Sequence, residues 1–287
     1  MQIAVASGKG GTGKTTIASN LAHVVSQKGK RVKYLDCDVE EPNGHLFLNP
    51  VIQNRGTVGL PVPEVYEPDC TACGLCAQIC QFKAIAALAE KILIFQELCH
   101  GCGGCMAVCP EHAISEKSRE VGVVEIGKAS SIQFVHGKLR IGEAMSPPLI
   151  REVKKEINPG EINIIDVPPG TSCPVITAIN DADFVILVTE PTPFGLHDLS
   201  LALDMVNKLK LPHGVVVNRH EDDNLRARIF CNERSVPILI EVPDDRRVAE
   251  AYSKGQLASV AVPDFSAYFT TLWEKIQEFI KNNRNKE

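Results

Sequence analysis

Residues 1–16 read Met1-Gln2-Ile3-Ala4-Val5-Ala6-Ser7-Gly8-Lys9-Gly10-Gly11-Thr12-Gly13-Lys14-Thr15-Thr16. A short apolar run, Gln2–Ser7, enters a glycine-rich loop. After Lys14, apolar residues recur at Ile17, Leu21, Ala22, Val24 and Val25, which is helical spacing, and Gly29 supplies the stop. Arg31–Asp36 reads as a second strand. Strand, loop and helix in that order are the context a phosphate-binding loop needs. Such a loop offers unpaired backbone N–H groups and the positive end of a helix dipole to phosphates. Gly10, Gly11, Thr12, Gly13, Lys14, Thr15 and Thr16 would surround the phosphates. Lys14 is expected to reach the β- and γ-phosphate oxygens of ATP, and the Thr15 hydroxyl to ligate Mg²⁺.

Outward from this loop, buried-strand runs occur at Ile162–Val167, Phe184–Thr189, Gly214–Asn218 and Ile238–Val242, separated by helical patterns such as Leu196–Leu209 and Asn224–Glu233. Alternating strands and helices imply an α/β fold, with a mostly parallel sheet covered by helices on both faces. A final helix, Asp264–Lys281, carries a broad apolar stripe. Between the second strand and Ile162 the alternation breaks. Pro61, Pro63 and Pro68 precede a cysteine-rich stretch that runs to about Ser118, after which Ile132–Val135 and Lys138–Ile141 flank His136-Gly137 as a hairpin.

Eight of the eleven cysteines repeat one spacing, C-x2-C-x2-C-x3-C, first at Cys70, Cys73, Cys76 and Cys80, then at Cys99, Cys102, Cys105 and Cys109. The second run ends in Pro110, whereas Gln81 follows the first. The pattern resembles that of two-cluster bacterial ferredoxins, in which the fourth cysteine of each run ligates the other run's cluster. By that resemblance one [4Fe-4S] cluster takes Cys70, Cys73, Cys76 and Cys109, and the other takes Cys99, Cys102, Cys105 and Cys80. Zinc is the competing metal, but its sites pair two C-x2-C units across a longer gap. The implied organisation is an α+β ferredoxin-like domain, residues 64–118, inserted into a host formed by residues 1–63 and 119–287. His100 is read as a bystander, Cys37 and Cys231 as packing residues, and Cys173 as packing with a redox role as the alternative.

Composition narrows the class. The net charge of −5 gives no electrostatic reason to expect nucleic acid. No apolar run approaches the ~20 residues of a membrane span, and thiols at metal-ligand spacing indicate a reducing cytoplasm.

The additional lysine, Lys9, sharpens the loop. Lys9-Gly10-Gly11-Thr12-Gly13-Lys14-Thr15-Thr16 resembles the deviant Walker A family of P-loop NTPases, which includes Min division-site ATPases, Par partition ATPases, Mrp-type iron–sulfur carriers and the nitrogenase iron protein. The resemblance implies a dimer, with itself or with a paralogue, in which Lys9 reaches the partner's nucleotide. It also implies that Asp38 orients the attacking water and that Asp166 holds Mg²⁺ with Asp36 nearby, although Asp36 and Asp38 could instead cap the following turn. Residues 168–171 would form the second switch. Asn218 would read adenine, with Pro243 and Asp244 in a second base-contacting loop.

Together these features lead us to expect a slow ATPase that couples nucleotide state to electron transfer through two [4Fe-4S] clusters, with a redox partner. A cluster carrier of Mrp type, with a cluster-acceptor partner, is the second reading. A Min-like spatial organiser is the third; it would need Trp273, Ile276, Phe279 and Ile280, with Lys275, Lys281, Arg284 and Lys286, to meet a membrane.

Overall fold

The structure, a computed structural model, describes residues 1–221 and 223–284. The strands are β1 (Gln2–Ala6), β2 (Val32–Asp36), β3 (Val51–Val65), β4 (Ile85–Leu88), β5 (Lys91–Ile94), β6 (Ile114–Ala129), β7 (Ile132–Leu139), β8 (Ile162–Asp166), β9 (Phe184–Thr189), β10 (His213–His220) and β11 (Ile238–Pro243). The helices are α1 (Lys14–Gln27), α2 (Gly44–Leu48), α3 (Leu75–Ile79), α4 (Gly104–Ala107), α5 (Ser146–Lys155), α6 (Cys173–Ile179), α7 (Pro193–Lys208), α8 (Arg226–Glu233), α9 (Arg246–Ser253), α10 (Ala258–Ala261) and α11 (Phe265–Arg284).

The main sheet has the order β11-β10-β9-β1-β8-β2-β7-β6-β3. From β11 to β7 every pairing is parallel; β6 and β3 extend that edge antiparallel. The central strands are buried on both faces, which is why they read as continuous apolar runs. One face packs Ala4, Leu35 and Ile165 against α5, α6 and α7 through Leu149, Val175 and Leu203. The other packs Ile3, Tyr34 and Ile164 against α1 and α11 through Ile17, Leu21, Phe269 and Leu272. The apolar stripe of α11 is part of this second core, with Trp273 3% exposed and Ile276 fully buried. That leaves it no apolar face for a membrane; Lys286 of the proposed basic cluster lies outside the described residues. Among the described residues no helix is long and apolar enough to cross a membrane.

One expectation needs correction. His136-Gly137 is not a turn: β7 runs unbroken through both residues, and the turn is at Ser130-Ser131, where Ser130 takes φ 52°. Gly137 is in the strand because a Cβ there would meet Val39 at 2.6 Å and Leu149 at 3.0 Å. The sequence pattern assigns no element to the stretch before Cys70, punctuated by Pro61 and Pro63. That stretch is the long strand β3, paired with β6 from Val51↔Lys128 to Val65↔Ile114. Proline is tolerated because β3 is the sheet's edge strand. This ribbon leads out to the cysteine-bearing stretch, which holds the separate β4–β5 hairpin and a small core of Cys76, Ile85, Ile92 and Ile114.

Candidate functional site

The loop of residues 7–13 joins β1 to α1 at the carboxyl ends of the parallel strands. Gly11 and Gly13 adopt φ 79° and 95°, a region closed to most side chains. Asn218 at the end of β10 donates from its amide to the Thr12 carbonyl at 2.8 Å, and a Cβ on Gly13 would meet that amide nitrogen at 2.4 Å. Asn218 therefore braces the loop. Gly10, Gly11, Gly13, Lys14, Thr15 and Thr16 line a cleft of about 390 Å³ together with Asp38, Pro169, Asn218, Pro243 and Asp244. Chain segments far apart in sequence thus converge on one opening. Sequence reasoning missed Tyr252, which lines the cleft and lies 5.0 Å ring to ring from Phe47 on α2.

Three carboxylates face Lys14. Asp36 and Asp166 are in register on β2 and β8 and fully buried. Burial pushes both carboxyls up, and for Asp36 the charge of Asp166 adds to it. Asp38 is pushed up to about 7 by burial and by Asp166, with Lys14 opposing. Lys14 itself is lowered by burial, although all three carboxylates favour its charge. Asp36 accepts from the Asp38 N–H at 3.2 Å and the Gly44 N–H at 2.9 Å, so it caps the following loop. Asp166 Oδ2 accepts from the Tyr34 hydroxyl at 2.9 Å, whereas its Oδ1 is buried with no partner. The nearby Thr15 hydroxyl opposes the rise of the Asp166 carboxyl. A buried carboxylate oxygen without a donor, beside a threonine hydroxyl, fits the all-oxygen donor set of Mg²⁺. Tyr34 has the strand periodicity of a core residue, so nothing in the sequence marks its hydroxyl.

Lys9 does not face the cleft. Its Nζ is 3.6 Å from Glu190, which also pairs with Arg219 at 2.5 Å.

The cysteines form two groups. Cys80, Cys99, Cys102 and Cys105 line a cavity of about 260 Å³, and Cys70, Cys73, Cys76 and Cys109 line a second, smaller one. Each cavity takes three cysteines from one run and the fourth from the other. The local backbone is duplicated with them. Ala84 N–H donates to Cys80 Sγ and Ala113 N–H to Cys109 Sγ, both at 3.3 Å, and Lys83 and His112 take φ 55° and 50°. Gln81 and Pro110 therefore follow their cysteines into the same turn. Burial pushes the Cys76 and Cys105 thiols up, which favours the neutral form until a cation compensates. Among the described residues no three metal-ligating side chains stand close enough to hold one ion; the sulfurs border cavities. His100 stacks on Phe82 at 3.6 Å. Cys37 and Cys231 are buried and their thiols are pushed up, Cys231 to about 11, whereas Cys173 is exposed.

The profile of the CobQ/CobB/MinD/ParA nucleotide binding domain matches residues 3–258. The chain belongs to this family. Two uncharacterised proteins of Methanocaldococcus jannaschii are similar to this chain along their lengths. One is 33% identical over 286 residues, covering 98% of each chain. The other is 32% identical over 265 residues, covering 89% of this chain and 90% of its own. An iron-sulfur cluster carrier protein of Pyrococcus abyssi is 25% identical over 228 residues, covering 75% of this chain and 60% of its own. Among solved structures, the septum site-determining protein MinD of Pyrococcus horikoshii, complexed with Mg-ADP, superposes with a TM-score of 0.62 at 20% identity. It covers 96% of this chain and 95% of that one. The α/β P-loop fold with a mostly parallel sheet is therefore that of the MinD/ParA nucleotide-binding proteins.

Proposed function

We propose that this family member is an ATP-hydrolysing, dimeric switch whose inserted domain, residues 64–118, holds two [4Fe-4S] clusters, and that nucleotide state governs electron transfer to a redox partner. The observation that carries the reading is the pair of cavities lined by the crossed cysteine sets, joined by one ribbon to the cleft of Lys14 and Asp38. A cluster fills a cavity, whereas one zinc ion draws four thiolates to ~2.3 Å around a point.

At the cleft, Lys14 and the loop N–H groups bind the phosphates. Thr15 and Asp166 would hold Mg²⁺, which would supply charge neutralisation at the phosphates. Asp38 orients the attacking water. Asn218, Pro243 and Asp244 border the end of the cleft assigned to the base. Lys9 leaves Glu190 when a second subunit brings its nucleotide within reach. In the inserted domain, backbone N–H groups of Ala84, Gly101 and Ala113 steady the ligating sulfurs of Cys80, Cys99 and Cys109. The clusters, when bound, would supply one-electron chemistry. The expected location is the cytoplasm.

A carrier function is the second reading, favoured by the likeness to iron-sulfur cluster carrier proteins of Pyrococcus abyssi and Aquifex aeolicus. Four thiolates per cavity argue for retention of the cluster. Anaerobic reconstitution, followed by iron analysis and transfer assays with and without MgATP, separates the readings. Retained iron with MgATP-dependent electron transfer supports the switch, and Lys14→Ala should then keep the iron and lose that dependence. Release of iron to an apo-protein, or identical transfer in both nucleotide states, overturns it.

A further inference from the structure

The carboxyl edge of the sheet carries a row of polar residues in register across five strands. Asp166 on β8 pairs with Asp36 on β2, Asp36 with His136 on β7, His136 with Glu125 on β6, and Glu125 with Arg55 on β3. Residues in register on adjacent strands project to the same face. The row therefore runs on one face from the candidate Mg²⁺ carboxylate to the strand that leads to the cysteines. Asp166, Asp36, His136 and Glu125 are all buried, and Arg55 is exposed.

The row is bonded along much of its length. His136 Nε2 is 2.7 Å from Glu125 Oε2, Lys138 reaches the same oxygen at 2.9 Å, and Arg55 approaches Oε1 at 3.7 Å. Beneath it, Tyr34 donates to Asp166 and stacks on Phe134 at 5.7 Å, and the Phe134 ring meets His136 edge-on at 5.0 Å. The short helix α2 touches the nucleotide cleft and the row together. Its Gly44 N–H donates to Asp36, His45 meets the His136 ring at 5.5 Å, and Phe47 meets Tyr252 at the cleft. Two residues beyond α2 the chain enters β3.

We propose that His136 is a positioning residue coupling the nucleotide cleft to the cysteine-bearing ribbon, with α2 as the part that moves. Nucleotide and Mg²⁺ at Asp38 and Asp166 change the loop that Asp36 caps, and α2 shifts with it. His45 then presses on His136, and Glu125 and Arg55 carry the displacement into β6 and β3. The coupling rests on the nucleotide reading above and names its route. Its warrant is a row in register that is bonded from His136 to Arg55 and meets the cleft side through the rings of His45 and Phe134 and the Gly44–Asp36 bond.

The test is hydrogen exchange on the full, anaerobically purified chain, with and without a non-hydrolysable ATP analogue and Mg²⁺. In the native protein, slowed exchange at residues 7–20 should accompany a several-fold change at residues 51–65 and 114–129. His136→Phe keeps a ring in the core and removes the bond to Glu125. It should retain the response at residues 7–20 and lose the response of the ribbon. Arg55→Ala, at the exposed end of the row, is the second variant should His136→Phe fail to fold, and it should diminish the ribbon response. A ribbon response that is equal in all three proteins overturns the proposal. So does its absence in the native protein while residues 7–20 are protected. No protection at residues 7–20 overturns the nucleotide reading and the coupling with it.

Discussion

Asp38→Asn should make the nucleotide-free protein more stable while removing its catalysis. Asp38 is held up to about 7, against an ordinary value of 3.8, by burial and by Asp166. At about 1.4 kcal/mol per pH unit the displacement amounts to ~4 kcal/mol at most. Lys14 and the neighbouring carboxylates would readjust in the variant, so a gain of about 2–4 kcal/mol is expected. The sign follows from proton binding. The folded chain holds the Asp38 proton more tightly than the unfolded chain, so its stability is intact below about pH 4 and declines as pH rises towards 7. Asparagine carries no such proton, so the advantage of the variant opens across that interval and levels off above it. Urea unfolding followed by Trp273 fluorescence measures this directly. It is the only tryptophan in the chain, and it is buried on α11 against the nucleotide-binding core. The variant should unfold at higher urea than the native chain at pH 8, with a smaller gap at pH 5. ATP hydrolysis should fall by on the order of 10²-fold or more. A gap independent of pH, or a less stable variant at pH 8, would refute the argument.

Tyr34→Phe removes the donor to Asp166 Oδ2 and should cost about 1–2 kcal/mol in the same unfolding assay, with weaker Mg²⁺ retention in a metal titration. Cys76→Ser and Cys105→Ser each take a ligand from one cavity only, so iron should fall from about eight to about four atoms per chain in either variant, with ATP binding by equilibrium dialysis unchanged. Glu190→Gln releases Lys9 from a partly exposed ion pair worth ~1 kcal/mol or less. Light scattering should then show ATP-dependent dimerisation at a protein concentration several-fold lower.

Much of this molecule is legible in its sequence because glycine and cysteine spacings are local. Residues 8–16 place the loop, and the apolar runs locate the strands to within a few residues. The crossed grouping of the cysteines is what their resemblance to two-cluster ferredoxins implies, and the two cavities are lined by those same sets. What escapes notice depends on long-range pairing. Pro61 and Pro63 hide the strand they lie in, and only the edge position of β3 makes them compatible with it. Gly137 suggests a turn, and only the closeness of Val39 and Leu149 explains it within β7. Tyr34 takes its role from Asp166, 132 positions away, and Glu190 from Arg219, 29 away, and from Lys9 near the other end of the sequence; Glu125 and His136, 11 apart, meet only because β6 and β7 pair. The amide of Asn218, expected at the base, donates to the Thr12 carbonyl and braces the phosphate loop.

The two cysteine cavities are not equivalent in their support. Cys99 and Ala84, beside one cavity, belong to the same apolar cluster as Leu60, Val62 and the sheet. Gly101 lies so close to the ribbon that a Cβ would meet Leu60 and the Pro61 carbonyl at 2.9 Å. Cys76, at the other cavity, shares only the small core of Ile85, Ile92 and Ile114. On the two-cluster proposal, one cluster would be braced against the apolar core of the sheet and the other only against the small core at the ribbon's end, Val65 and Ile114. Oxidative loss would then begin at the less braced cavity. A chain with one cluster left would be a defined species, with its iron beside Leu60 and Pro61 of the ribbon.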